Sequence, residues 1–220
     1  MKEEIKYTSE IFDAYQSIAK QNASQKITFY KRHESFLATV PLDEKLDIVL
    51  DFHEALFELG HYSDYLIRCD ETIELLFDSN LFPIFRKEAI QKLLFNKAGS
   101  QLNLHKLDQS EETMKALIKM DVTGDKLYKG LLFHIFKNKR LLLKFQARGI
   151  VISLILCSAI LSIWIALVIQ PHYPESLLRF KAWALGLFSL GILIWTGFIG
   201  YNNFQSYKEA NKFLTKYRYT

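Results

Sequence analysis

The chain reads as an all-α protein: a cytoplasmic stack of antiparallel helical hairpins followed by a two-helix transmembrane hairpin. Three observations predict this. Two apolar runs, Gly149 to Ile169 and Ala182 to Gly200, contain no Asp, Glu, Lys, Arg or His. Each is long enough to cross a bilayer core of about 30 Å as a helix rising about 1.5 Å per residue. Ahead of them, apolar residues recur at three and four, with no sustained strand-like alternation. The breaks between periodic stretches are short, so neighbouring helices should turn back on one another.

The helical period runs from about Thr8 to Phe136. It shows in Ile11, Tyr15 and Ile18, in Leu46, Val49, Phe52, Leu56 and Leu59, in Leu66, Cys69, Ile73 and Leu76, and in Phe85, Ala89, Ile90 and Leu93. Breaks are expected at Gln21 to Ser24, Val40 to Asp43, Gly60 to Ser63, Asp78 to Pro83, His105 to Gln109 and Asp121 to Asp125. Thr8 and Ser9, Ser63 and Asp64, and Asp108 are candidate caps, because their short polar side chains can accept from free N–H groups of a first turn. Leu127, Leu131 and Ile135 give Lys126 to Phe136 the period of a closing helix. The expected domains are a soluble part at 1–136, a basic stem at 137–148, a first span at 149–169, a connector at 170–181, a second span at 182–200 and a tail at 201–220.

Charge orients the hairpin. Lys137, Lys139, Arg140, Lys144 and Arg148 precede the first span, and Lys208, Lys212, Lys216 and Arg218 follow the second. The connector has only Arg179 and Lys181, so the positive-inside rule puts both termini in the cytoplasm, at an inner (plasma) membrane. The charged start, Met1-Lys2-Glu3-Glu4, has no apolar core of a secretion signal. Trp164, Tyr173 and Trp183 suit one membrane interface, and Trp195 and Tyr201 the other. Small residues on the spans are candidate packing positions: Ser158, Ser162 and Ala166 on the first, and Ala182, Gly186, Ser189, Gly197 and Gly200 on the second. Such positions let backbones approach in lipid, either within one hairpin or between copies in a homo-oligomer.

The soluble part shows no catalytic constellation and no cofactor motif. His53-Glu54 opens like a zinc-protease motif, but Phe57 stands where the second histidine would share the helix face. Cys69 and Cys157 lie in different parts of the chain and have no metal-ligand spacing. The net charge of +4 is modest and its basic residues cluster beside the spans, so a lipid surface is the expected polyanion rather than nucleic acid.

Two segments are similar. Val49 to Leu76 and Leu94 to Val122 superpose Leu59 on Leu104, Tyr62 on Leu107 and Ile73 on Ile118. With Ala98 and Ser110 at small positions and Gly60-His61-Tyr62 at a turn, the chain resembles the tetratricopeptide-repeat family. His53 and Tyr65 occupy positions where that family has small residues, and the spacing of about 45 exceeds its usual 34, which implies an extra helix around Leu81 to Gln91. The resemblance implies a non-enzymatic scaffold that binds a protein or peptide in a groove, with His53, Asn96, Lys97 and Gln101 as contacts. The alternative is a two-span effector that oligomerises and perturbs the membrane under control of the soluble part.

Overall fold

The computed structural model describes residues 10–18, 22–79, 82–120, 125–172 and 174–218; the side chains of 125, 141–147, 174 and 218 lie outside that description. Among the described residues every regular element is helical. Seven helices among the described residues precede the apolar region: α1 (Glu10–Gln16), α2 (Ala23–His33), α3 (Leu42–Glu58), α4 (Tyr62–Asp78), α5 (Pro83–Asn103), α6 (Leu107–Met120) and α7 (Asp125–Lys139). Then follow α8 (Leu141–Trp164), a π-helical stretch (Ile165–Ile169), α9 (Gln170–His172), a 3₁₀ turn (Pro174–Ser176) and α10 (Leu177–Arg218). The chain divides into two units, residues 1–132 with 214–220, and residues 133–213.

Local chemistry accounts for the helix ends. Asn22 caps α2, its side-chain oxygen accepting from Gln25 N at 3.1 Å. Pro83 starts α5, where its missing N–H costs no helical bond. The α3–α4 and α5–α6 turns share one construction. After α3, Gly60 takes φ +75°, and His61 N donates across the turn to Leu56 O at 2.8 Å. After α5, His105 takes φ +59°, and Lys106 N donates to Gln101 O, also at 2.8 Å. Both are left-handed helix terminations that satisfy carbonyls the helix leaves open. The second copy lies 45 residues after the first.

That spacing does not come from an added helix. The expected helix at Leu81 to Gln91 is the first half of a continuous 21-residue α5; Leu81 itself lies outside the described residues. Elsewhere, Thr8 and Ser9 also lie outside them, and α4 opens one residue before Ser63, with no side-chain cap at His61. The stem expected at 137–148 is divided between α7 and α8 by a break at Arg140.

In the first unit, α2 packs on α3, α3 on α4, α4 on α5 and α5 on α6. The core holds Leu46, Phe52, Leu56, Tyr65, Cys69, Leu76 and Leu93. Full burial of each such aliphatic side chain contributes about 1.5–3 kcal/mol before chain entropy is subtracted. The Tyr65 hydroxyl donates to Leu93 O at 2.9 Å, so its burial leaves no orphaned polar atom.

In the second unit, Arg148–His172 and Leu177–Tyr217 are helices long and apolar enough to cross a membrane. Only 11% of the most apolar window of each is buried. Ser158 Oγ donates to Ala184 O at 2.8 Å, and a Cβ built on Gly191 would lie 3.6 Å from Leu154 Cβ. The two spans therefore meet at Ser158, Ala184 and Gly191.

Candidate functional site

The helical period of α3 and α5 sets up a groove in the first unit. On α3, Leu50, Asp51, His53 and Glu54 line it; on α5, Phe85, Glu88, Ala89, Lys92, Leu93 and Asn96 do so. Positions 85, 88, 92 and 96 are spaced three and four apart and share one helix face. The groove encloses about 260 Å³, the size for one or two side chains of a partner rather than a docked helix. Its walls are apolar near Leu50, Ala89 and Leu93, and Phe85 is 62% exposed at its edge. A large aromatic ring left in water beside a concave surface marks a candidate contact position.

The polar groups are of two kinds. Asp51 and Glu54 are already paired. Asp51 Oδ2 accepts from Lys26 Nζ at 2.7 Å and from the Tyr15 hydroxyl at 2.9 Å. Burial, with the Asp51 hydrogen bond second, raises the Tyr15 hydroxyl far above its usual range, so it stays a donor. Glu54 Oε1 accepts from Lys92 Nζ at 2.7 Å. Glu88 and Asn96 have no hydrogen-bond or ionic partner among the described residues.

His53 is the unusual member. It is 1% exposed, and Tyr65 meets its ring edge-on at 4.9 Å. Burial, with the Arg68 charge second, pushes its pKa down to about 4, so the ring is neutral. Nε2 lies 2.8 Å from Thr72 Oγ1, whose own proton goes to Arg68 O at 3.1 Å. This geometry assigns the ring proton to Nε2 and leaves Nδ1 a bare acceptor. Nδ1 is buried and has no partner. A buried acceptor without a donor is costly, about 1–3 kcal/mol.

No known protein family, curated protein or solved structure matches this chain.

The four contacts expected from the sequence are divided between two places. His53 and Asn96 share the α3/α5 groove. Lys97 and Gln101 line a second, wider depression of about 540 Å³ among α4, α5 and α6. There Lys97 Nζ pairs with Asp70 Oδ1 at 2.5 Å, and Gln101 Oε1 accepts from Thr113 Oγ1 at 2.8 Å. Both side chains are thus engaged within the fold. Sequence reading missed Phe85, Glu88 and Lys92, although the three-and-four spacing from Phe85 to Asn96 carried the signal.

The small residues of the spans are likewise divided. Ser158 is buried at the meeting of the two helices, and Ser162 Oγ donates to Ser158 O at 2.8 Å within its own helix. Ala166 borders the adjoining groove of about 360 Å³, with Gln170 and Lys181 at its polar end. Ala182, Ser189, Gly186, Gly197 and Gly200 are exposed, and a Cβ on any of these three glycines would meet nothing within 4 Å. That face is not used by the hairpin. Of the basic residues, Arg148 lies over the Trp195 ring at 5.9 Å, Lys137 over the Phe133 ring at 5.4 Å, and Arg140 pairs with Glu209. Lys139 is exposed, while the Lys144 side chain and Tyr173 lie outside the described residues.

Proposed function

We propose that this protein is a membrane-anchored helical scaffold that binds a protein or peptide partner in the α3/α5 groove. The observation that carries the reading is that Glu88 and Asn96, without partners among the described residues, line one concavity with an exposed Phe85. The recurrence of the helix-ending turn after 45 residues supports a repeated, tetratricopeptide-like hairpin, with antiparallel partners stacked side by side. In this reading the spans hold the soluble part at the inner face of a plasma membrane, both termini cytoplasmic, and the work of the protein is recruitment rather than catalysis.

Site-specific photo-crosslinking in native membranes tests it. A benzophenone amino acid in place of Phe85 should give a discrete adduct with another protein, whereas the same group at exposed Glu74 on α4 should not. Equal labelling at both positions, or none at Phe85, overturns the proposal.

One observation favours the second reading, a two-span effector that oligomerises in the membrane. The exposed glycine face of α10 is left open by the hairpin, in a form that close helix packing between copies would use. Disulfide trapping at Gly186→Cys distinguishes the readings: rapid dimer formation at native expression supports the effector, and a monomer supports the scaffold.

A further inference from the structure

The α3/α5 groove carries an excess of negative charge. Its lining carries the carboxylates of Asp51, Glu54 and Glu88 against the single ammonium of Lys92. Lys26 adds a second cation, which reaches Asp51 from the neighbouring depression. Both cations are spent on Asp51 and Glu54, so Glu88 keeps an uncompensated charge. In the same groove, Phe85 offers an exposed ring.

We propose that the groove is a receptor for an arginine side chain presented by the partner peptide. The inference rests on the scaffold reading and names the chemistry of its ligand. A guanidinium has five N–H donors in a rigid plane and no acceptor, and its fork matches a free carboxylate such as Glu88. It also stacks favourably on an aromatic face, which Phe85 supplies. Lysine fits less well, since a single ammonium is a point charge that does not match a planar set of acceptors. A hydrophobic side chain would leave Glu88 unpaired.

The test uses the full chain in detergent and two fluorescein-labelled heptapeptides of alanine and leucine. One has a central arginine; the other has citrulline, which keeps the shape and removes the charge. Fluorescence anisotropy should show the arginine peptide binding at least about tenfold more tightly. Glu88→Gln, an exposed position that leaves the core intact, should remove most of that preference. In ¹⁵N-histidine-labelled protein, the His53 Nδ1 resonance should move on adding the arginine peptide and stay in place with its twin.

Equal affinity of the two peptides, with both lost in Phe85→Ala, would overturn the arginine assignment and keep the groove as a peptide site. If neither peptide binds and the benzophenone at Phe85 finds no protein, the scaffold reading itself fails. A His53 shift as large with N-acetyl-arginine amide as with the peptide would mean a small-molecule ligand and overturn the peptide assignment.

Discussion

Ser110 Oγ donates to the Ala98 carbonyl oxygen at 2.7 Å, and neither residue has any exposed surface. Forty-five residues earlier, the equivalent pair is His53 and Tyr65, in edge-to-face contact at 4.9 Å. The same place between two helices is thus filled by a small hydrogen-bonded pair in one hairpin and by two rings in the other. Enlarging the small pair should therefore be costly. Ser110→Leu would force α5 and α6 apart, with an expected loss of about 1–3 kcal/mol, whereas Ser110→Ala should lose only about 1 kcal/mol. Denaturant titration of the two variants measures the difference, and equal losses would show that the site has room to spare.

The two left-handed turn positions make opposite predictions. Gly60→Ala should destabilise the protein by about 1 kcal/mol, since a Cβ is unfavourable at φ +75°. His105→Gly should stabilise it by a similar amount, because φ +59° is costly for a side-chain-bearing residue. Thermal unfolding of both variants checks the signs. A destabilising His105→Gly would mean that its side chain has a role beyond the turn.

His53 links stability to pH. Below pH about 6.5 the unfolded chain binds a proton at this ring, while the folded chain refuses it until about pH 4. Stability from this group is present above 6.5 and is lost as pH falls across that window, by up to about 3 kcal/mol. His53→Gln keeps a donor toward Thr72 and cannot titrate, so wild type should lose more stability than the variant between pH 6.5 and 4. Parallel pH profiles would contradict the buried neutral ring.

Cys69 should be inert in the folded protein. Its thiol is buried, and that burial, ahead of any charge effect, pushes its pKa up to about 11. Maleimide at neutral pH should label it only after denaturation, a result read by mass spectrometry of the peptide. Fast native labelling would mean that α4 opens readily.

On the two long apolar helices, Gly191→Leu and Gly186→Leu should behave differently. Leucine at 191 would collide with Leu154 and Val151 and separate the hairpin, while leucine at 186 enters open space. Cysteine pairs placed across the two spans should therefore crosslink in Gly186→Leu and fail to do so in Gly191→Leu.

Much of the helical pattern was legible in the residues. Breaks at Gly60 and His105, and the Pro83 start, rest on local backbone chemistry that a sequence displays directly. The length of α5 was not legible, because the spacing of about 45 suggested a separate helix at Leu81 to Gln91. No proline or glycine between Gln91 and Leu94 marks whether the helix stops there. The spans were legible from their apolar length, but their meeting point was not. Gly191 sits among glycines of identical local chemistry, and only the rotation of α10 about its axis decides which of them faces α8. The groove was half legible for the same reason. His53 and Asn96 lie on helices that the period identifies, yet the empty Nδ1 depends on Thr72, which another helix brings within reach.

The uninterrupted course of α10 has a mechanical consequence. Its 42 residues make a rod of about 63 Å, roughly twice the thickness of a bilayer core. No proline interrupts it, so bending is resisted along its whole length. A tilt of about 10° in lipid would swing a point about 30 Å beyond the membrane by about 5 Å. In the scaffold reading proposed above, the helix is a lever as well as an anchor, and a change in membrane thickness would be felt at its far end as displacement.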